Sequence, residues 1–169
     1  MQVFEAVRTV LAIRSYKPES IPPATVRKIL EAGRLTASSM NLQPWHFIAV
    51  ESREDLRALG EMAATGPYIA EAGFAVAVAT EPTKYSESDA GRAIQSMILT
   101  AWEEGIVSNW VGFYGLDDAA EYLGIPDEMD LLAIIPFGYS ESATSGGHKK
   151  RKPFSDVVHK GRFGKRFEE

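Results

Sequence analysis

Two short runs, Phe74-Ala75-Val76-Ala77-Val78-Ala79 and Leu131-Leu132-Ala133-Ile134-Ile135-Pro136-Phe137, are apolar at every position. A half-buried strand alternates apolar and polar residues, whereas a short run that is apolar throughout fits a strand buried on both faces. The two runs therefore read as core strands, and the rest of the chain must supply helices to cover them. Phe4, Val7, Val10 and Leu11 recur at three- to four-residue spacing, which predicts an amphipathic helix over 2–12. Pro22 and Pro23 suit the first turn of a second helix, which Val26, Ile29, Leu30 and Gly33 carry to about residue 35. Ser52 followed by Asp55 is a capping-box pattern and places a helix start at 53. A long helix is expected over 89–104, with Ser86 or Ser88 as its cap and Gly105 at its end. Asp117 or Asp118 opens a short helix that closes at Gly124. Residues 45–50 and 106–113 read as further strands. This alternation suggests helices layered on both faces of one central sheet.

The 169 residues are enough for one compact domain with a real core. A net charge of −5 argues against broad nucleic-acid binding, which rests on Lys and Arg neutralising phosphates. The absence of cysteine excludes disulfides, thiolate metal sites and a cysteine nucleophile. His46, His148 and His159 lie far apart and show no metal-ligand spacing, so no metal is expected. The N-terminal segment has no signal-peptide core, and no apolar run approaches the roughly 20 residues that span a bilayer. A soluble cytoplasmic protein is the expectation. From Ser140 the composition turns polar, glycine-containing and basic, which reads as an arm leaving the body with a short helix near 153–159.

Three segments hold candidate chemistry. Arg14-Ser15-Tyr16-Lys17 puts two cations and a short hydroxyl at a break after a helix. An Arg fork grips phosphate oxygens in bidentate fashion, and Ser adds a neutral donor. Residues 37–45, Ala-Ser-Ser-Met-Asn-Leu-Gln-Pro-Trp, gather small polar donors before a strand and can present N–H groups and hydroxyls to a planar polar ligand. Lys149-Lys150-Arg151-Lys152-Pro153 is a basic run in an acidic chain, and a phosphate clamp needs only one or two of its cations. Each segment taken alone is also compatible with an ordinary solvated loop, and Trp45 with a core anchor.

In order and spacing, these segments resemble the nitroreductase-like, FMN-dependent oxidoreductases. The resemblance runs from Arg14-Ser15-x-Lys17 through Ser38-Ser39-Met40-Asn41-Leu42-Gln43-Pro44-Trp45 and Asp89-Ala90-Gly91. It continues through Trp110-Val111-Gly112-Phe113, Leu123-Gly124-Ile125-Pro126 and Ile135-Pro136-Phe137-Gly138-Tyr139 to Arg151-Lys152-Pro153. It implies an α+β fold, a three-layer α/β/α arrangement around a mainly antiparallel sheet. Residues 140–169 would form a C-terminal arm embracing the partner subunit of an obligate homodimer. Arg14, Ser15 and Lys17 would hold the FMN phosphate and ribityl chain, and Arg151, with Lys149, would close on the same phosphate. Ser38, Ser39, Met40 and Asn41 would reach the flavin from the partner subunit, and Gly112 would lie near its reactive nitrogen. The flavin carries the hydride chemistry, so no catalytic acid–base residue is expected.

Two departures stand out. The family pattern has Arg where this chain has Lys17, which keeps the charge but loses the fork. The stretch from Glu51 to Gly66 offers no counterpart to the Asn and Lys that hold the pyrimidine edge in larger relatives. The implied activity is electron transfer from NAD(P)H to nitroaromatic, quinone or similar organic acceptors. The alternatives are a non-redox binding protein of the same fold and a specialised flavin reaction such as reductive dehalogenation.

Overall fold

The computed structural model describes residues 1–112, 115–141 and 149–167. In chain order the elements are α1 (Val3–Thr9), α2 (Pro23–Arg34), β1 (Trp45–Val50), α3 (Arg53–Met62), β2 (Phe74–Thr80) and α4 (Ser86–Glu103). They continue with β3 (Val107–Ser108), β4 (Val111–Gly112), α5 (Asp117–Tyr122), β5 (Asp130–Gly138) and α6 (Phe154–Val157). Short 3₁₀ turns occupy Ser39–Asn41 and Pro67–Glu71.

The two apolar runs are neighbours at the centre of the sheet, whose order is β1-β2-β5-β3 with β4 also on β5. Every pairing between these strands is antiparallel. Every residue of β2 is buried, because its two faces enter different cores. Phe74, Val76 and Val78 pack with Ile135 and Phe137 beneath α2 and α4. Ala75, Ala77 and Ile134 face α3, the 67–71 turn and α5 on the other side. Helices thus cover both faces of an antiparallel sheet, an α+β fold in three layers. Fully burying one Ile or Phe side chain contributes about 1.5–3 kcal/mol, so the paired cores dominate stability. At Gly33 a Cβ would lie 3.0 Å from Met97 Sδ, so the glycine lets α2 lie close on α4.

Helix ends follow local chemistry. Ser52 Oγ accepts the Asp55 N–H at 3.1 Å and donates to the Asp55 carboxylate at 2.6 Å, so the expected cap is in place. Gly105 takes φ +75° and closes α4 through Gly105 N–H to Trp102 O and Ile106 N–H to Ala101 O, a Schellman end.

Several boundaries differ from the sequence expectation. α1 stops at Thr9 because Val10 turns extended and the following residues are drawn to the sheet edge. There Ile13 N–H donates to Ser108 O at 2.9 Å. α4 begins at Ser86 with Tyr85 at the cap position, and the Ser86 hydroxyl instead donates back to Glu81 O. Residues 106–113 form two strand fragments rather than one strand. Both fragments pair with β5 in one register, and the gap falls opposite Ile135 and Pro136. Proline brings no N–H to a ladder. α6 spans only Phe154–Val157. Phe113 and His148 lie outside the described residues.

Candidate functional site

Tyr16 anchors the N-terminal limb, residues 10–17. It is 2% exposed and lies flat on Gly138, where an added Cβ would sit 2.6 Å from Tyr16 Cδ1. Its hydroxyl donates to Ile13 O at 2.9 Å and leans on Pro136 O at 3.4 Å, while Lys17 N–H donates to Tyr139 O at 2.8 Å. Burial, reinforced by the Tyr68 phenol, pushes the Tyr16 pKa far above the usual phenol value. With Tyr16 pinned inward, Arg14 and Lys17 are exposed and Ser15 is half-buried.

Among the described residues, the side chains of Arg14, Ser15 and Lys17 make no hydrogen bond or ion pair. Three cations on the helices behave otherwise. Arg8 is held by Glu5, Arg34 by Glu31, and Lys28 by Glu103 and Glu104. The limb therefore carries charge that the fold does not consume.

The C-terminal segment meets the N-terminal part of the chain twice, once at the limb and once at α1. Ser140 bridges Tyr16 where the chain leaves β5, and Lys149 lies against α1. Lys149 Nζ donates to Val7 O at 2.7 Å, in the last helical turn, where carbonyls lack intrahelical partners and a cation suits the helix dipole. Partial burial, then the nearby Arg151 charge, lowers the Lys149 pKa. Arg151 donates to the Lys150 carbonyl at 3.0 Å.

Limb, arm and α4 enclose a cleft of about 370 Å³. Val10, Leu11, Ile98 and Trp110 give it an apolar wall, and Lys149 and Arg151 give it a cationic rim. Asn109, 4% exposed, also lines it. Its Nδ2 donates to the Tyr68 hydroxyl and to Trp110 O, which fixes the amide. Sequence reading missed both Asn109 and the anchoring role of Tyr16. A buried amide within a kinked strand has no linear signature, whereas Gly138 opposite an aromatic residue was the available hint for Tyr16. A dry wall with N–H donors at one end suits an amphipathic anion with a flat body and a phosphate group.

Gly112 sits in β4 opposite Ala133, where a Cβ would lie 2.6 Å from Leu132 O. Close approach to β5 explains that glycine, and it is the neighbouring Trp110 that lines the cleft.

The serine loop stands elsewhere. Ser38 Oγ accepts Gln43 N–H at 2.9 Å, and Ser39 gives both its N–H and its hydroxyl to Asp89, each at 2.9 Å. Met40, Asn41 and Gln43 all have positive φ, between 51° and 56°. Met40 is 80% exposed. Asp89 lies six residues before Gln95 and nine before Ile98, the α4 positions at the cleft. At 1.5 Å per residue the loop is about 9–14 Å along the helix from the cleft of its own chain. Of the expected binding residues the cleft lining holds Lys149 and Arg151; Arg14, Ser15 and Lys17 lie further along the limb outside that lining, and Ser38–Asn41 stand apart from it.

A larger recess, about 900 Å³, lies at the opposite end of β5 and includes Lys84, Glu87, Asp117 and Asp130. Three carboxylates against one lysine disfavour a phosphate there. Among the described residues no group of His, Asp or Glu could hold a metal ion. No described helix is long and apolar enough to cross a membrane.

The chain matches the Nitroreductase family over residues 8–86 and 62–139. It is 38% identical to an NADH dehydrogenase of Thermus thermophilus, with 87% of this chain and 90% of that one covered. It is 25% identical to an NADPH-dependent oxidoreductase of Staphylococcus epidermidis, covering 95% of this chain and 74% of that one. An FMN-dependent nitroreductase structure from Clostridium difficile superposes with TM-score 0.80 at 27% identity, covering 95% of this chain and 99% of that one.

Proposed function

The chain belongs to the nitroreductase family, and on that premise we propose that it is a cytoplasmic, homodimeric, FMN-dependent oxidoreductase that passes electrons from NADH or NADPH to nitroaromatic, quinone or similar organic acceptors. The observation that supports the reading is the cleft between the limb and the arm, with Lys149 and Arg151 in its lining, on the same limb that carries Arg14, Ser15 and Lys17. Bound FMN supplies the hydride chemistry.

The chain's own residues bind and orient. Arg14 and Arg151 hold the phosphate by charge-assisted bonds, each worth roughly 1.5–3 kcal/mol. Lys17 adds a point charge, Ser15 a hydroxyl, and Lys149 ties the arm to α1 while lending its charge. The apolar wall around Ile98 and Trp110 excludes water beside the ring, and Gly112 acts through the close β4–β5 approach that sets Trp110 in that wall. Asn109 offers an amide oxygen to a hydroxyl of the ribityl chain.

The separation of Ser38–Asn41 from the cleft of the same chain supports a second copy that brings this loop to the site. Apolar side chains left bare by one protomer support it too. Phe4 is 76% exposed, Phe154 61% and Phe163 94%. One relative is named for NADH and another for NADPH, so both nicotinamides stand as electron donors in this reading.

Purified protein is expected to be yellow and dimeric by light scattering, to release FMN on heating, and to bleach anaerobically with NADH or NADPH. Colourless protein that does not quench FMN fluorescence on titration overturns the reading.

A further inference from the structure

We infer that Asp89 is a positioning residue for the proposed flavin site, setting the shape of the 38–43 loop through Ser39; the inference rests on the functional reading above. Asp89 is fully buried, yet three donors converge on it. Ser39 N–H reaches Oδ2 and Ser39 Oγ reaches Oδ1, each at 2.9 Å, and Arg92 pairs with Oδ1 at 3.1 Å. Its place in the first turn of α4 adds the favourable end of the helix dipole. A buried carboxylate so satisfied is a rigid fixture.

The loop needs one. Met40, Asn41 and Gln43 occupy the left-handed region without being glycine. Each such residue costs about 1–2 kcal/mol and persists only where its surroundings over-determine it. Within the loop the compensating bonds are few. Asn41 N–H and Leu42 N–H donate to Ser38 O and Ser39 O, each at 3.1 Å, and Gln43 N–H donates to Ser38 Oγ. The backbone N–H bonds all close on Ser38 and Ser39, Gln43 Nε2 adds one bond to Asn41 O at 3.2 Å within the loop, and the tie from the loop to α4 runs through Ser39 to Asp89. Releasing it lets Met40 and Asn41 relax out of the left-handed region. The loop that the partner's flavin would meet is then no longer preformed. The hydroxyl of Ser39, already given to Asp89, serves the site by holding the loop rather than by touching the ligand.

Asp89→Asn keeps the volume but turns one acceptor into a donor facing Ser39. Ser39→Ala deletes one of the two bonds and leaves the buried charge paired with Arg92. Ser39→Thr keeps the hydroxyl. Hydrogen exchange at residues 41–43 of the full-length apoprotein is expected to quicken about tenfold or more in Asp89→Asn and Ser39→Ala. FMN affinity, by fluorescence quenching, is expected to fall by about the same factor, since apparent affinity scales with the competent fraction. The absorption bands of bound FMN are expected to shift in both variants, and Ser39→Thr is expected to restore exchange, affinity and spectrum.

Quickened exchange with unchanged affinity and bands would make Asp89 merely structural and overturn the inference. Unchanged exchange in both Asp89→Asn and Ser39→Ala overturns it whatever the wild type binds. Quickened exchange in a wild-type background that binds no FMN defeats the functional reading instead and upholds the clamp.

Discussion

Gly138→Ala tests whether Tyr16 is what aims the phosphate-facing cations. The added methyl would sit 2.6 Å from Tyr16 Cδ1 and 3.0 Å from its Cβ and Cγ. Carbon atoms do not approach that closely, so the ring must lift by several tenths of an ångström or more. It has nowhere easy to go. The ring is 2% exposed, its hydroxyl is tethered to Ile13 O, and the next backbone N–H is tied to Tyr139 O. Overpacking of a full core costs about 1–3 kcal/mol. Losing the buried phenol bond adds roughly 1 kcal/mol. The sum is about 2–4 kcal/mol, which for a chain of this length lowers Tm by about 4–16 °C. Thermal melts of the apoprotein read the first part. FMN titration reads the second, because a displaced Tyr16 carries Arg14, Ser15 and Lys17 with it. A variant with wild-type Tm and wild-type FMN affinity would refute the anchoring argument. A lower Tm with unaltered affinity would refute the link from Tyr16 to the cations.

Tyr16 also sets an alkaline limit. Its folded pKa is raised, so its contribution is complete below the unfolded value of about 10 and is lost as pH rises toward the folded value; Tyr16→Phe is expected to flatten the fall in stability above about pH 10 in pH-dependent urea melts. Arg14→Ala is expected to weaken FMN binding by about tenfold or more with little change in Tm, and wild-type affinity in that variant would refute the phosphate assignment. Thr9→Val orphans the buried Trp102 Nε1, now bonded to Thr9 Oγ1 at 2.9 Å, and is expected to cost about 1–3 kcal/mol in denaturant titration. Asp55, whose pKa its bonds to Ser52 and Tyr122 lower, supports α3 above the unfolded carboxylate value and loses that support as pH falls through the folded one. Asp55→Asn should therefore narrow the stability difference between neutral and acid pH in the same melts.

The sheet was legible because its signal is local. Each residue of 74–79 is apolar, and burial on both faces is the only way to satisfy such a run. The α4 terminus was legible for the same reason, since Gly105 marks its own conformation. The break between β3 and β4 was not, because its cause lies on another strand, at Pro136. The site divides in the same way. Arg14, Lys17, Lys149 and Arg151 announce themselves as charge in the sequence. Tyr16, Asn109 and Asp89 work through partners 122, 41 and 50 positions away, and no window of sequence contains both ends of such a contact.

The charge distribution carries a last argument about how a dianion could bind a chain of net charge −5 at all. Long-range attraction cannot help, since the net field repels anions. What remains is local. Arg14 and Lys17 on the limb and the run Lys149-Lys150-Arg151-Lys152 on the arm place six cations on two short segments, with Glu19 the nearest carboxylate in sequence to the first and Asp156 to the second. Some of the carboxylates that make the chain acidic are paired elsewhere, as with Glu5, Glu31 and Glu103 on their own cations. Screening acts over about 8 Å at physiological ionic strength. Contacts at hydrogen-bond distance survive it, whereas repulsion from distant carboxylates does not. Added salt should therefore weaken FMN binding less than it weakens binding to a uniformly basic surface. A steep loss of FMN affinity between low and physiological salt would mean that the anion is held by diffuse attraction rather than by the paired limb and arm.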